Sequence, residues 1–169
     1  MGTLVAVANF EWDLGWGEVL RLAEVRFAEP YAELVAANSA WLDRWGDWSQ
    51  HQCTVELARE MFTRMLRGFA DGTRLPLLVI DRGRIAGHVG LSIDPGQRSA
   101  SVGYWIGEQF TGAGFATRAV TAITDHALID LGLLSLDPPS WLLLNAGRNA
   151  RMPFWPGRMC LAKGQIRPS

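Results

Sequence analysis

Thiols, histidines and long apolar runs are all scarce in this chain, and each scarcity removes a class of protein. Its 169 residues hold two cysteines, Cys53 and Cys160, far too distant in sequence for a metal knuckle or a redox pair, so both read as reduced, structural thiols. The three histidines, His51, His88 and His126, show no ligand spacing with one another or with the cysteines, and no metal is implied. The formal charge is −1 and no block of basic residues stands out, which gives no electrostatic reason for a nucleic-acid partner. No stretch reaches transmembrane length, and the apolar run Leu4 to Ala8 lacks the basic leader and length of a secretory signal. The reading is a cytoplasmic chain without a membrane partner. Repeats and low-complexity tracts are missing too, which leaves one globular domain over residues 1–169, long enough to bury a core.

What is present is a succession of short periodic segments. Glu18 to Val25 alternates polar and apolar residues and reads as a half-buried strand. Arg26 to Ala37 places Phe27, Tyr31, Leu34 and Val35 at helical spacing, with Pro30 close enough to the start to be tolerated. A helix from Asn38 would gather Trp41, Trp45 and Trp48 on one face. Thr54 is placed as the N-cap of a longer helix whose apolar stripe runs from Leu57 to Phe69 and which stops at Asp71-Gly72. Leu75 to Ile80 and Ile85 to Ile93, joined by Asp-Arg-Gly-Arg, read as an antiparallel hairpin, and Ala100 to Gly107 extends it to a three-stranded meander.

The meander runs into Gly112-Ala-Gly114 and then into a helix with a stripe of Ala116, Val120, Ile123, Ala127 and Leu131, stopped by Gly132. A strand that feeds a glycine loop and a helix N-terminus presents unpaired backbone N–H groups at the positive end of the helix dipole, a place suited to phosphate. The same two glycines would also serve a plain strand-to-helix turn. The spacing is neither the dinucleotide fingerprint, which needs a third glycine where this chain has Thr117, nor a Walker loop, since no Gly-Lys-Ser/Thr follows.

Val102-Gly-Tyr-Trp-Ile-Gly107 followed by Phe110-Thr-Gly-Ala-Gly-Phe-Ala-Thr-Arg-Ala-Val120 resembles the central motif of RimJ/RimL-like GNAT N-acetyltransferases, and the resemblance runs from about Glu18 to Leu133. It implies an α/β/α sandwich around a mixed, mostly antiparallel sheet, with acetyl-CoA as co-substrate and a primary amine as acceptor, on a peptide N-terminus or a small molecule. It further implies that backbone groups of Trp105, Ile106 and Gly107 line the pantetheine arm, that amides of Gly112, Ala113, Gly114, Phe115, Ala116 and Thr117 hold the pyrophosphate beside Thr111 at the cofactor site, and that Asn149 contacts the cofactor. Backbone N–H groups of a splayed strand would stabilise the oxyanion.

The chain departs from that pattern. The family usually has Gln or Arg where Thr111 stands, often a carboxylate where Ser101 stands, and a serine or tyrosine in place of Met152. Glu108, after the cofactor strand, and His88, mid-strand, are the candidate acid–base residues, each weighed against a solvated carboxylate and a packed core histidine. Arg118 near the helix start is expected either on a cofactor phosphate or in solvent. Residues 134–169 form an atypical C-terminal segment broken by Pro153 and Pro156, with C-terminal strands expected to be missing; an incomplete sheet edge would invite a homodimer. Beside the active transferase stand two alternatives, a catalytically impaired relative that keeps the cofactor site and an unrelated phosphate-binding α/β protein.

Overall fold

The alternating and helical segments assemble into a six-stranded sheet with helices on both faces in a computed structural model, which describes residues 11–44 and 53–137. A hairpin of β1 (Glu11–Gly15) and β2 (Glu18–Leu22) leads through a 3-10 turn to α1 (Ala28–Ala37) and a short α2 (Ser39–Leu42). Then come α3 (Val55–Ala70), β3 (Arg74–Asp81), β4 (Arg84–Asp94) and β5 (Ser99–Ile106). Helix α4 (Phe115–Asp125) continues through a π-helical turn at His126–Asp130 to β6 (Ser135–Asp137). The strands lie in chain order and all pair antiparallel except β5 with β6, so the sheet is mixed and mostly antiparallel, as expected. That one parallel pair requires a crossover, and α4 is the crossover.

Register assigns the two helical layers. Residues directly opposite in a ladder share a face, and neighbours along a strand do not. Leu78, His88 and Trp105 are laterally aligned, and Tyr31 of α1 meets both His88 and Trp105 edge-on. Val79, Leu20 and Trp12 are aligned on the other face, where Trp12 meets His126 at the end of α4. Helices α1 and α3 pack together on the first face and α4 covers the second. The core between them includes Phe62, Met65, Leu77, Val79, Val89, Leu91 and Ile123, all at most 2% exposed.

Most expected elements are found with shifted ends. Helix α3 starts where its sequence signal puts it, because Thr54 Oγ1 accepts the Leu57 N–H at 3.3 Å. The first expected strand stops at Leu22 rather than Val25: the Phe27 N–H donates to the Glu24 carbonyl and turns the chain off the sheet into α1. Strand β1 was not expected; Trp16-Gly17, both at positive φ, make the tight turn that folds it back on β2. The α4 stripe is rotated from the expected one, with Phe115, Ala119, Ile123 and Ala127 buried and Leu131 exposed. The π turn explains the slip at its end: the Leu131 N–H reaches back five residues to the His126 carbonyl and breaks the four-residue step. Trp45, Trp48 and residues 138–169, including Asn149, lie outside the described residues.

Candidate active site

The site is built where β5 ends. In an antiparallel ladder alternate residues turn their backbone groups toward the partner strand, and the Gly107 N–H donates to the Ala86 carbonyl at 2.9 Å. Gly107 and Trp105 therefore face β4, while Ile106, between them, faces the other way, toward the side where β6 lies. The described β5–β6 pairing covers Ser99 to Ser101, at the far end of β5. The Ile106 carbonyl accepts the Trp41 Nε1–H at 3.3 Å, and the Trp105 side chain points away from the cleft, its Nε1 bonded to the Tyr31 hydroxyl at 3.3 Å. The three residues expected along a pantetheine arm are thus placed differently. Ile106 lines the cleft, while the Gly107 amide and the Trp105 ring are committed to the protein.

Past Gly107 the chain makes a 3-10 turn over Glu108–Phe110. The Asn38 side chain, 3% exposed, pins this turn: Oδ1 accepts the Glu108 N–H and Nδ2 donates to the Leu34 carbonyl, both at 2.8 Å. Thr111 Oγ1 donates to the Glu108 carbonyl at 2.7 Å, so its hydroxyl shapes the loop. Asn38 is a site residue that the sequence does not announce, since Glu108 lies 70 residues away; Trp41, a candidate wall of an acceptor pocket or a core residue on the sequence, meets Ile106 across 65 residues.

Gly112 and Gly114 then adopt φ of +81° and +82°, the left-handed region that side chains disfavour, and α4 begins at Phe115. The turn leaves the first amides of α4 without intrahelical partners at the positive end of its dipole. A cleft of about 280 Å3 opens there, lined by Ile106, Phe110, Thr111, Gly112, Gly114, Phe115, Ala116 and Thr117. Of the six residues expected to hold the pyrophosphate, Gly112 to Thr117, five line this one cleft together with Thr111, and Ala113 is not among its walls. A larger cavity of about 400 Å3 lies at the opposite end of the sheet, walled mainly by apolar side chains such as Phe69, Leu75, Ile93, Leu131 and Leu133, and has no helix N-terminus in it.

Arg118, expected on a phosphate or in solvent, keeps a quarter of its side chain exposed and is engaged by protein groups. Its Nε and Nη2 donate to both carboxylate oxygens of the buried Glu18, at 2.7 and 2.5 Å, and its Nη1 donates to the Ala113 carbonyl at 2.9 Å. The two acid–base candidates also part company. Glu108 is exposed beside the cleft loop. His88 is 1% exposed and packed beside Tyr31, and burial, with Arg74 adding to it, pushes its pKa down from 6.5 to about 4. A neutral imidazole sealed in the core cannot meet an incoming amine, so the acceptor-facing role for His88 is corrected to a packing role. Among the described residues no group of three His, Cys, Asp or Glu side chains could hold a metal ion, and no helix is long and apolar enough to cross a membrane.

Fold and cleft define a class: a mixed-sheet α/β protein that offers a phosphate-sized nest of amides at the junction of a central strand and a crossover helix. Residues 19–137 match the acetyltransferase (GNAT) domain, and the chain belongs to that family. It is 29% identical over 116 residues to YdaF of Bacillus subtilis (strain 168), which is named for ribosomal N-acetyltransferase activity, covering 68% of this chain and 63% of that protein. It is 23% identical over 99 residues to the ribosomal-protein-serine acetyltransferase of Escherichia coli (strain K12), covering 58% of this chain and 55% of the relative. The chain thus spans less than two thirds of either curated relative. Among solved structures, RimL, the ribosomal L7/L12 alpha-N-protein acetyltransferase in complex with coenzyme A, superposes with a TM-score of 0.64 at 26% identity, over 69% of this chain and 66% of that one.

Proposed function

We propose that this chain is an acetyl-CoA-dependent N-acetyltransferase whose acceptor is a primary amine at a peptide N-terminus. The observation that carries the reading is the cleft at the mouth of α4, where positive-φ glycines turn the chain so that the helix's first amides meet a pocket ending at Ile106. Diphosphate is the part of acetyl-CoA that such a nest suits, and the end of β5 extends from it in the direction a pantetheine arm would take. Membership of the GNAT family and the coenzyme A complex of RimL support the cofactor. The names of the two curated relatives support a ribosomal-protein terminus as acceptor.

The neutral amine attacks the thioester carbonyl, forming the C–N bond; the tetrahedral intermediate collapses with cleavage of the C–S bond and release of coenzyme A as the thiol. One proton leaves the amine nitrogen and one must reach the departing sulfur. Backbone N–H groups on the open side of β5 are suited to the oxyanion. Glu108 is assigned proton acceptance: it is exposed, and its backbone is fixed by Asn38 beside the strand that leads into the cleft.

Thiol release from acetyl-CoA, followed with a panel of N-terminal peptides and small amines, tests the reading. An amine-dependent rate is expected, and Glu108→Gln should lower kcat by about 10²-fold while leaving KM for acetyl-CoA unchanged. No amine-dependent thiol release with any acceptor, despite coenzyme A binding, would favour the impaired relative.

A further inference from the structure

We propose that Arg118, held by Glu18, is the positioning residue of the cofactor loop. It acts through the Ala113 carbonyl and contributes to acetyl-CoA binding without contacting the phosphates. This rests on the acetyl-CoA reading above and adds to it a device that sets the direction of the loop amides.

The argument starts from the planar trans peptide. The carbonyl of Ala113 and the N–H of Gly114 belong to one peptide unit and point in opposite directions. Arg118 Nη1 draws that carbonyl to itself at 2.9 Å, on the side where Glu18 lies. The Gly114 N–H is thereby aimed the other way, and Gly114 is a wall of the cleft. Without the anchor the Ala113–Gly114 peptide turns more easily, because its rotation is taken up by ψ of Ala113 and φ of Gly114, and a glycine tolerates both signs of φ.

The guanidinium is itself held on several sides. Glu18 at the start of β2 takes two of its donors in a fork, a geometry that a lysine would not reproduce. The rings of Trp16 and Phe115 each lie 5.4 Å from its central carbon. Trp16 is 82% exposed and has φ of +58°, a conformation uncommon for a bulky residue, and it stands in the β1–β2 turn directly before Glu18 and its brace. Gly114 gains a second reason to lack a side chain: a Cβ there would lie 2.7 Å from Arg118 Nη1.

A guanidinium already engaged by a buried carboxylate carries little net charge to offer a diphosphate, and this separates brace from ligand by the sign of one substitution. Under the brace, Glu18→Gln loosens Arg118 and weakens coenzyme A binding; under direct phosphate contact, the same change frees the cation and tightens it. Calorimetric titration of coenzyme A into wild type, Glu18→Gln, Arg118→Gln and Arg118→Lys is the experiment. We expect Arg118→Gln to weaken binding roughly tenfold or more, Glu18→Gln to weaken it by roughly threefold, and Arg118→Lys to fall between wild type and Arg118→Gln. KM for the amine acceptor should stay unchanged.

Amide hydrogen exchange of the ligand-free proteins reads the brace independently of binding. Exchange over residues 112–117 should quicken in Arg118→Gln while α3 and β4 keep their protection. Tighter binding by Glu18→Gln, or unchanged loop exchange in Arg118→Gln, would overturn the proposal. A wild type that binds no coenzyme A but shows the loop-exchange change would instead sink the transferase reading and leave the brace standing.

Discussion

His88 offers a pH-dependent test of how the core is built. Its imidazole, flanked by Tyr31 and Trp105 and 1% exposed, titrates at about 4 instead of 6.5 because burial disfavours the charged form, with Arg74 as a second, smaller cause. In the unfolded chain the same group takes up a proton below about 6.5. Between those values the unfolded state binds more protons, so this residue's contribution to stability is complete above pH 6.5 and is lost progressively as pH falls toward 4. At about 1.4 kcal/mol per pH unit, the loss reaches about 2 kcal/mol by pH 5 and about 3 kcal/mol when the folded state itself protonates. Other groups titrate over the same range, so the informative quantity is the difference between wild type and His88→Gln. Urea unfolding at pH 7 and pH 5 should show wild type losing about 2 kcal/mol more than the variant. A direct NMR titration of the imidazole, which needs no variant, should find it neutral at pH 5. Equal losses in both proteins, or an imidazole that titrates near 6.5, would refute the sealed-core placement and restore His88 as a candidate base.

The remaining predictions concern the loop and its supports. Gly112→Ala meets no neighbour within 4 Å, so its cost is that of the left-handed conformation alone, about 1–2 kcal/mol in chemical denaturation. Gly114→Ala carries the same strain and also displaces Arg118, so it should weaken coenzyme A binding more than Gly112→Ala does when both are titrated calorimetrically. Asn38→Leu strips the partner from the Glu108 N–H, while the Leu34 carbonyl keeps the backbone N–H of residue 38, and should cost about 1–3 kcal/mol in urea denaturation, with a lower kcat in the thiol-release assay. Thr54→Ala removes the α3 cap far from the cleft; a loss of about 1 kcal/mol with unchanged coenzyme A affinity is expected from paired denaturation and titration.

Local signals in the sequence were reliable where local physics decides. The stripe of α3 and its Thr54 cap, the β3–β4 turn and the paired glycines before α4 each depend on residues a few positions apart, and each is found where expected. Strand β1 alternates Glu11 and Asp13 with Trp12 and Leu14, but over only five residues, and its place in the sheet comes from pairing with β2. The exposure of Leu131 at the end of the α4 stripe follows from a π turn that the assumption of a constant 3.6-residue period could not anticipate. The supports of the site were invisible for a different reason. Glu18 and Arg118 are 100 residues apart, and Asn38, just past α1, meets Glu108 only once α1 lies on the sheet with Tyr31 against Trp105. Sequence could name the glycine nest, but only the assembled sheet supplies the side chains that aim it.

The account depends most on the amides at the mouth of α4 receiving the diphosphate of coenzyme A. Amide NMR spectra recorded while coenzyme A is titrated to millimolar concentration address this directly. The largest shifts are expected at Gly112, Gly114, Phe115, Ala116 and Thr117, saturating together, with α3 unmoved. A spectrum that does not change, or shifts confined to the apolar cavity around Phe69 and Leu133, would contradict it.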